Sequence, residues 1–124
     1  MKDKKILELA AIACGLLKEG VFYGSTDWNP LKNDGDAFRL AARLMMSVDF
    51  GTLFSKYTIV TCSHRLDGVP RIAIKESHNS DVFYATRRAI VRAAAEIGET
   101  HNASLTAKHA KSSIHNKQIP PADE

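Results

Sequence analysis

DWNPLKNDGDAFRLAARLMMSV, residues 27–48, joins the only tryptophan of the chain to its best-signalled amphipathic helix, and the fold is read outward from it. Trp28-Asn29-Pro30 is a turn, because proline fixes its own φ and pushes the preceding residue out of the α region. A helix should start soon after. Asn33, Asp34 or Asp36 can each place a side-chain oxygen on an orphan N–H, and carboxylates there suit the helix dipole. Ala37, Phe38, Ala41, Leu44, Met45 and Val48 then recur at helical spacing, with Arg39 and Arg43 on the other side. The spacing predicts a core-facing helix with a wet basic edge.

Upstream, residues 3–18 read as a first helix. Ile6, Leu9, Ala10, Ala13, Leu16 and Leu17 form one stripe, which Leu7, Ala11 and Cys14 widen, so this helix should be well buried. Gly20 is its expected stop. Val21-Phe22-Tyr23 offers a short extended piece, either an edge strand or a loop packed on the body.

Downstream, residues 49–56 read as a loop anchored by Phe50 and Phe54. The β-branched run YTIVTCS at 57–63, the turn signal Asp67-Gly68 and the alternating RIAIK at 71–75 make a hairpin. A two-residue turn would set Ile72 and Ile74 opposite Ser63 and Thr61, mixing core and solvent sides. A three-residue loop, Leu66-Asp67-Gly68, followed by a bulge pairs Cys62 with Ile72 and Val60 with Ile74. The second register is preferred, because a one-residue slip turns a whole hydrophobic set outward. Pro70 must then face away from a partner or sit beside the bulge. His78-Asn79-Ser80-Asp81 opens a third helix, capped by Ser80 or Asp81, with Phe83, Ile90, Val91, Ala94 and Ile97 as its buried stripe and Gly98 as its expected end. Residues 99–124 turn polar and carry Pro120-Pro121, which predicts a mostly disordered tail with at most a frayed helix over 103–114.

The expected architecture is α+β: a small antiparallel sheet, one hairpin with a candidate third edge strand, packed against three helices. At 124 residues and 44% hydrophobic, residues 1–98 can bury a core as one domain without metal or disulfide. Cys14 and Cys62 sit in apolar surroundings and read as buried thiols in a reducing compartment. The apolar part of the first helix is too short to cross a bilayer, and no small-residue cleavage site follows it, so a cytosolic protein without membrane contact is expected. The net charge of +3 is scattered among acids, and a nucleic-acid binder usually shows a denser basic stripe.

No catalytic or metal-binding constellation stands out, and no cofactor is implied. Cys62-Ser63-His64 with His78 is an incomplete ligand set and reads as structure. Asp27, Asp34 and Asp36 suggest caps and turns before they suggest acid/base or Mg²⁺ chemistry. Trp28 reads first as a ring packed over the helix ends, with an exposed recognition role as the other option. The candidate binding residues are therefore Arg39, Arg43, Arg87, Arg88 and Arg92, with Trp28. If the second and third helices lie side by side on the sheet, these arginines make one basic face for phosphates or an acidic protein surface. The alternative is an ordinary solvated face, ion-paired to residues such as Asp36 and Glu96.

Trp28-Asn29-Pro30, Asp34-Gly35-Asp36-Ala37 and YATRRAIVRAAAEIG at 84–98 carry a resemblance. Over residues 3–98 the chain resembles small proteins of tailed bacteriophages and prophages, mostly of unassigned function, and is more loosely similar to the phage ABA-sandwich domain family. It departs from them in the hairpin and in the tail after Gly98. The resemblance implies a phage or prophage origin and action in the host cytoplasm, and it brings no catalytic residues. The expected function is that of a non-enzymatic accessory protein that binds a host or phage protein, in a role such as modulating host metabolism or defence. The alternative is a nucleic-acid-binding module using the basic helical face. A homodimer, through an open hairpin edge or the alanine-rich third helix, is compatible with either.

Overall fold

The computed structural model describes residues 2–63 and 70–118. The chain is α+β, with elements in the order α1 (Asp3–Ala13), β1 (Leu17–Lys18), β2 (Val21–Phe22), α2 (Asp34–Arg43), β3 (Ser47–Asp49), β4 (Tyr57–Ser63), β5 (Pro70–Ser77) and α3 (Val82–Gln118). β1 and β2 form a small hairpin of their own, and β3-β4-β5 form a three-stranded antiparallel sheet in that order. α3 is the centre of the molecule. α1, α2, β4 and β5 all pack on it, which is why its buried residues, among them Ala85, Ala89, Ile90, Val91, Ala94 and Ala95, run round most of its circumference.

The hairpin register is the expected one, with Cys62 opposite Ile72 and Val60 opposite Ile74, and the irregularity falls between Cys62 and Ser63, where Ser63 pairs with Pro70. Alternation then sends Thr58, Val60 and Cys62 toward α3 and leaves Tyr57 and Ile59 in water. The loop Leu66-Asp67-Gly68 lies outside the described residues. Asn33 caps α2, accepting from the Asp36 N–H at 2.8 Å, and Asp81 caps α3, accepting from the Tyr84 N–H at 2.9 Å.

Both early helices end sooner than their apolar spacing predicts. α1 stops at Ala13 and not near Gly20, because Gly15 takes a left-handed φ of +83° that costs glycine little. The Leu16 N–H then donates to the Ala11 carbonyl at 2.9 Å and the Gly15 N–H to Ile12 at 3.2 Å, the paired bonds of a Schellman ending. Leu16 and Leu17 leave the helical stripe, and the chain reverses through Glu19 and Gly20, both at positive φ, into β2. That reversal spends Val21 and Phe22 on β1. The third strand of the main sheet is instead β3, which pairs Val48 with Val60 in a stretch expected to be helix and loop.

α2 closes in the same way. The Met46 N–H reaches the Ala41 carbonyl at 3.0 Å and the Met45 N–H reaches Ala42 at 3.2 Å, but the left-handed residue here is Met45, at φ +56°. Its buried face is Ala37, Leu40 and Ala41. Phe38 and Met45, expected in that face, are 72% and 85% exposed.

α3 does not end at Gly98 but continues to Gln118, so the expected boundary of the tail is not a helix boundary. Gly98 serves the α1–α3 seam instead: a Cβ there would lie 1.9 Å from the Leu9 carbonyl oxygen, so only glycine admits the α1 backbone this close. Phe83, assigned by spacing to the buried stripe of α3, is 66% exposed. Among the described residues no helix is long and apolar enough to cross a membrane.

Candidate functional site

The five arginines do not act together. Arg87 is largely buried; its Nε donates to the Leu31 carbonyl at 2.8 Å and its NH1 pairs with Asp34 at 2.7 Å, so it clamps α3 to the start of α2. Helical rotation of about 100° per residue carries Arg88 and Arg92 to another side of α3. There Arg92 pairs with Glu76 of β5 at 2.6 Å, and Arg88 lies 3.2 Å from Asp3 of α1 and 3.7 Å from Glu76. The Asp3 carboxylate, through its hydrogen bond, raises the Arg88 pKa further above its already high value. Arg39 pairs with Asp36 one turn back on α2 at 2.8 Å. Arg43 is exposed in the last turn of α2, where a cation suits the dipole.

Trp28 is half-buried against the core and meets the Phe22 ring with centroids 5.9 Å apart and planes tilted by 53°. Its turn is held by a bracket of polar contacts. The Asn29 N–H donates to Asp36 Oδ2 at 2.9 Å, Asn29 Oδ1 accepts from the Leu31 N–H at 3.1 Å, and Pro30 beside them is fully buried. Burial works against the Asp36 carboxylate, but the Asn29 N–H and the Arg39 guanidinium outweigh it and hold its pKa below the ordinary carboxylate value. Asp36 thus joins the turn to the helix.

Thiols and imidazole are also tied into the fold. Cys62 is buried, its Sγ 3.5 Å from the Leu44 carbonyl, and burial pushes its pKa up. Burial likewise raises Cys14, against smaller opposing effects from a backbone hydrogen bond to Leu16 and the charge of Arg43. A thiol whose pKa rises is a weaker nucleophile at neutral pH. His78 Nε2 and Thr58 Oγ1 are hydrogen-bonded at 2.8 Å, and Thr58 and Thr86 hydroxyls at 3.1 Å. Thr58 is fully buried, so its hydroxyl serves the fold: it fastens the sheet to α3 through Thr86 and holds the half-buried His78 ring at the approach to that helix. His64 lies outside the described residues. Among the described residues no three His, Cys, Asp or Glu side chains gather where they could hold a metal ion.

The candidate site is a groove of about 490 Å³ between α2, β3 and the first turns of α3. Ala37 and Ala41 form its buried floor, Met46, Val48 and Ile90 its walls, and Phe38, Phe50 and Phe83 its exposed rim. Asp34 and Arg87 meet at one end. The small floor residues create the hollow, because α2 and α3 stay apart where larger rings turn outward. Of the residues expected to bind, only Arg87 lines it. The signal for the groove was available: the i, i+3, i+4 face 37-40-41-44 leaves Phe38 off the core side, a choice that counting Phe38 as apolar obscured. The chain matches no protein-family model, and neither a curated protein nor a solved structure shows significant similarity to it.

Proposed function

We propose that this chain is a non-enzymatic accessory protein of phage or prophage origin that acts in the host cytoplasm by binding a host or phage protein, in a role such as modulating host metabolism or defence. The observation that carries this reading is the apolar groove with its rim of Phe38, Phe50 and Phe83. Large rings held in water at the edge of a hollow waste apolar area unless something covers them, and aromatic anchors seated in hollows dominate the energetics of protein interfaces. The origin and compartment rest on the resemblance of residues 3–98. Binding of nucleic acid through the arginines has less to stand on, because Arg39, Arg87, Arg88 and Arg92 already hold carboxylates.

The test is capture from lysate of an infected host, with wild-type protein and the Phe38→Asp/Phe83→Asp variant side by side. A protein retained by the wild type and lost by the variant supports the reading. Equal retention by both, or none above background, counts against it. Titration with DNA and RNA at two salt concentrations separates the alternative, since phosphate binding must weaken steeply with salt.

A further inference from the structure

We propose that the groove is closed in solution by a second copy of this chain, in a two-fold dimer in which the Leu53 and Phe54 tip of each protomer seats in the groove of the other. The inference rests on reading this face as a protein-binding surface and gives it a resting occupant, which a captured partner must displace. Both halves of such a contact are on one chain. Phe50 stands on the groove rim, and the turn that follows it, closed by a 3.0 Å bond from the Ser55 N–H to the Thr52 carbonyl, carries Leu53 and Phe54 at 89% and 87% exposure. A knob beside a hollow of the same chemistry is self-complementary, and a two-fold axis lets each copy fill the other.

The area agrees. With aromatic side chains offering about 150–250 Å² each, the exposed fractions of Phe38, Phe50, Phe54 and Phe83, with Leu53, come to roughly 700 Å², close to the share one partner gives to a standard interface. The charge agrees as well. Arg39 and Arg43 lie across α2 from the groove-facing residues by helical spacing, and the ionic groups at the groove, Asp34 and Arg87, neutralise each other. A copy seated in the groove meets one neutralised ion pair there, whereas a strongly charged partner would find little in the groove to answer it. Of the two routes to a dimer read from the sequence, the alanines of α3 are buried inside the protomer, and the hairpin edge is β5, at the outside of the three-stranded sheet.

Sedimentation velocity of the full chain across a wide concentration range tests the proposal. The mass should pass from 13.6 kDa toward twice that value as concentration rises. Phe54→Asp on the knob and Phe83→Asp on the rim should each weaken association by at least about tenfold, since each forces a carboxylate into an apolar contact. Tyr23→Asp, on the exposed β1–β2 hairpin, should leave it unchanged, and circular dichroism confirms that each variant is folded. A wild type that stays monomeric throughout overturns the proposal, as does a dimer that survives both Phe54→Asp and Phe83→Asp. If the wild type is monomeric while Phe83→Asp still abolishes partner capture, the binding function stands and the dimer falls. If Phe83→Asp breaks the dimer but leaves capture intact, the dimer stands and the groove is not the capture site.

Discussion

Alanine does opposite things on the two sides of α3. On the α1 side, Ala10, Ala94 and Gly98 let two helix backbones come together until the seam admits no further atom. On the α2 side, Ala37 and Ala41 are just as small, yet a hollow remains and Phe38, Phe50 and Phe83 stand in water around it. Small side chains close a gap only when a neighbouring backbone is free to descend onto them. α1 does so at Gly98. α2 is fixed to α3 at its N-terminal end, by the turn bracket at Asn29 and the Arg87 clamp to Leu31 and Asp34, and its alanines face the groove.

The contrast can be broken most severely at the seam. Gly98→Ala should cost about 3 kcal/mol or more in urea unfolding, because the added Cβ meets backbone and not a movable side chain. Next comes the clamp: Arg87→Met should cost about 2 kcal/mol by leaving the Leu31 carbonyl and Asp34 without their charged donor. Met45→Gly should gain about 1 kcal/mol, since a residue with a Cβ is strained at φ +56° and the exposed thioether contributes little to the fold. Asp36→Asn sharpens the comparison through pH. Because the folded carboxylate has a lowered pKa, its contribution is full above its unfolded value of about 4 and is lost as pH falls through the folded one. Urea midpoints of the wild type should therefore fall in that acid window more steeply than those of Asp36→Asn. Smallest of all, Ala42→Leu in the groove should shift stability by less than about 0.5 kcal/mol, since Ala42 is exposed and faces space. A loss like that of Gly98→Ala would mean that the hollow is already full.

Much of the frame was legible in the residues because it depends on local chemistry. The β-branched alternation and the need for a bulge settled the pairing of Val60 with Ile74, and Asn33 and Asp81 stood among the expected caps. What failed depends on neighbours far along the chain. Gly98 reads as a stop because glycine usually ends helices, whereas here α1 demands its missing Cβ. β3 is three residues long and follows a helix whose apolar period runs on through Val48, so pairing with β4 overrides the local pattern. Met45 carries no hint that it will adopt a glycine-like φ. For the candidate site the arginines were the visible feature, and partners distant in sequence, Asp3 and Glu76 among them, disperse them; the groove is defined by what is missing between two helices, which no single residue announces.

The central position of α3 has a consequence during synthesis. Contacts between separate parts of the molecule run chiefly through a helix that begins at Val82, after every other element has been made. Until α3 emerges from the ribosome, α1, α2 and the hairpin have apolar surfaces and little to lay them on. The nascent chain is therefore most exposed to chaperones, proteases and aggregation in the interval before α3 can dock.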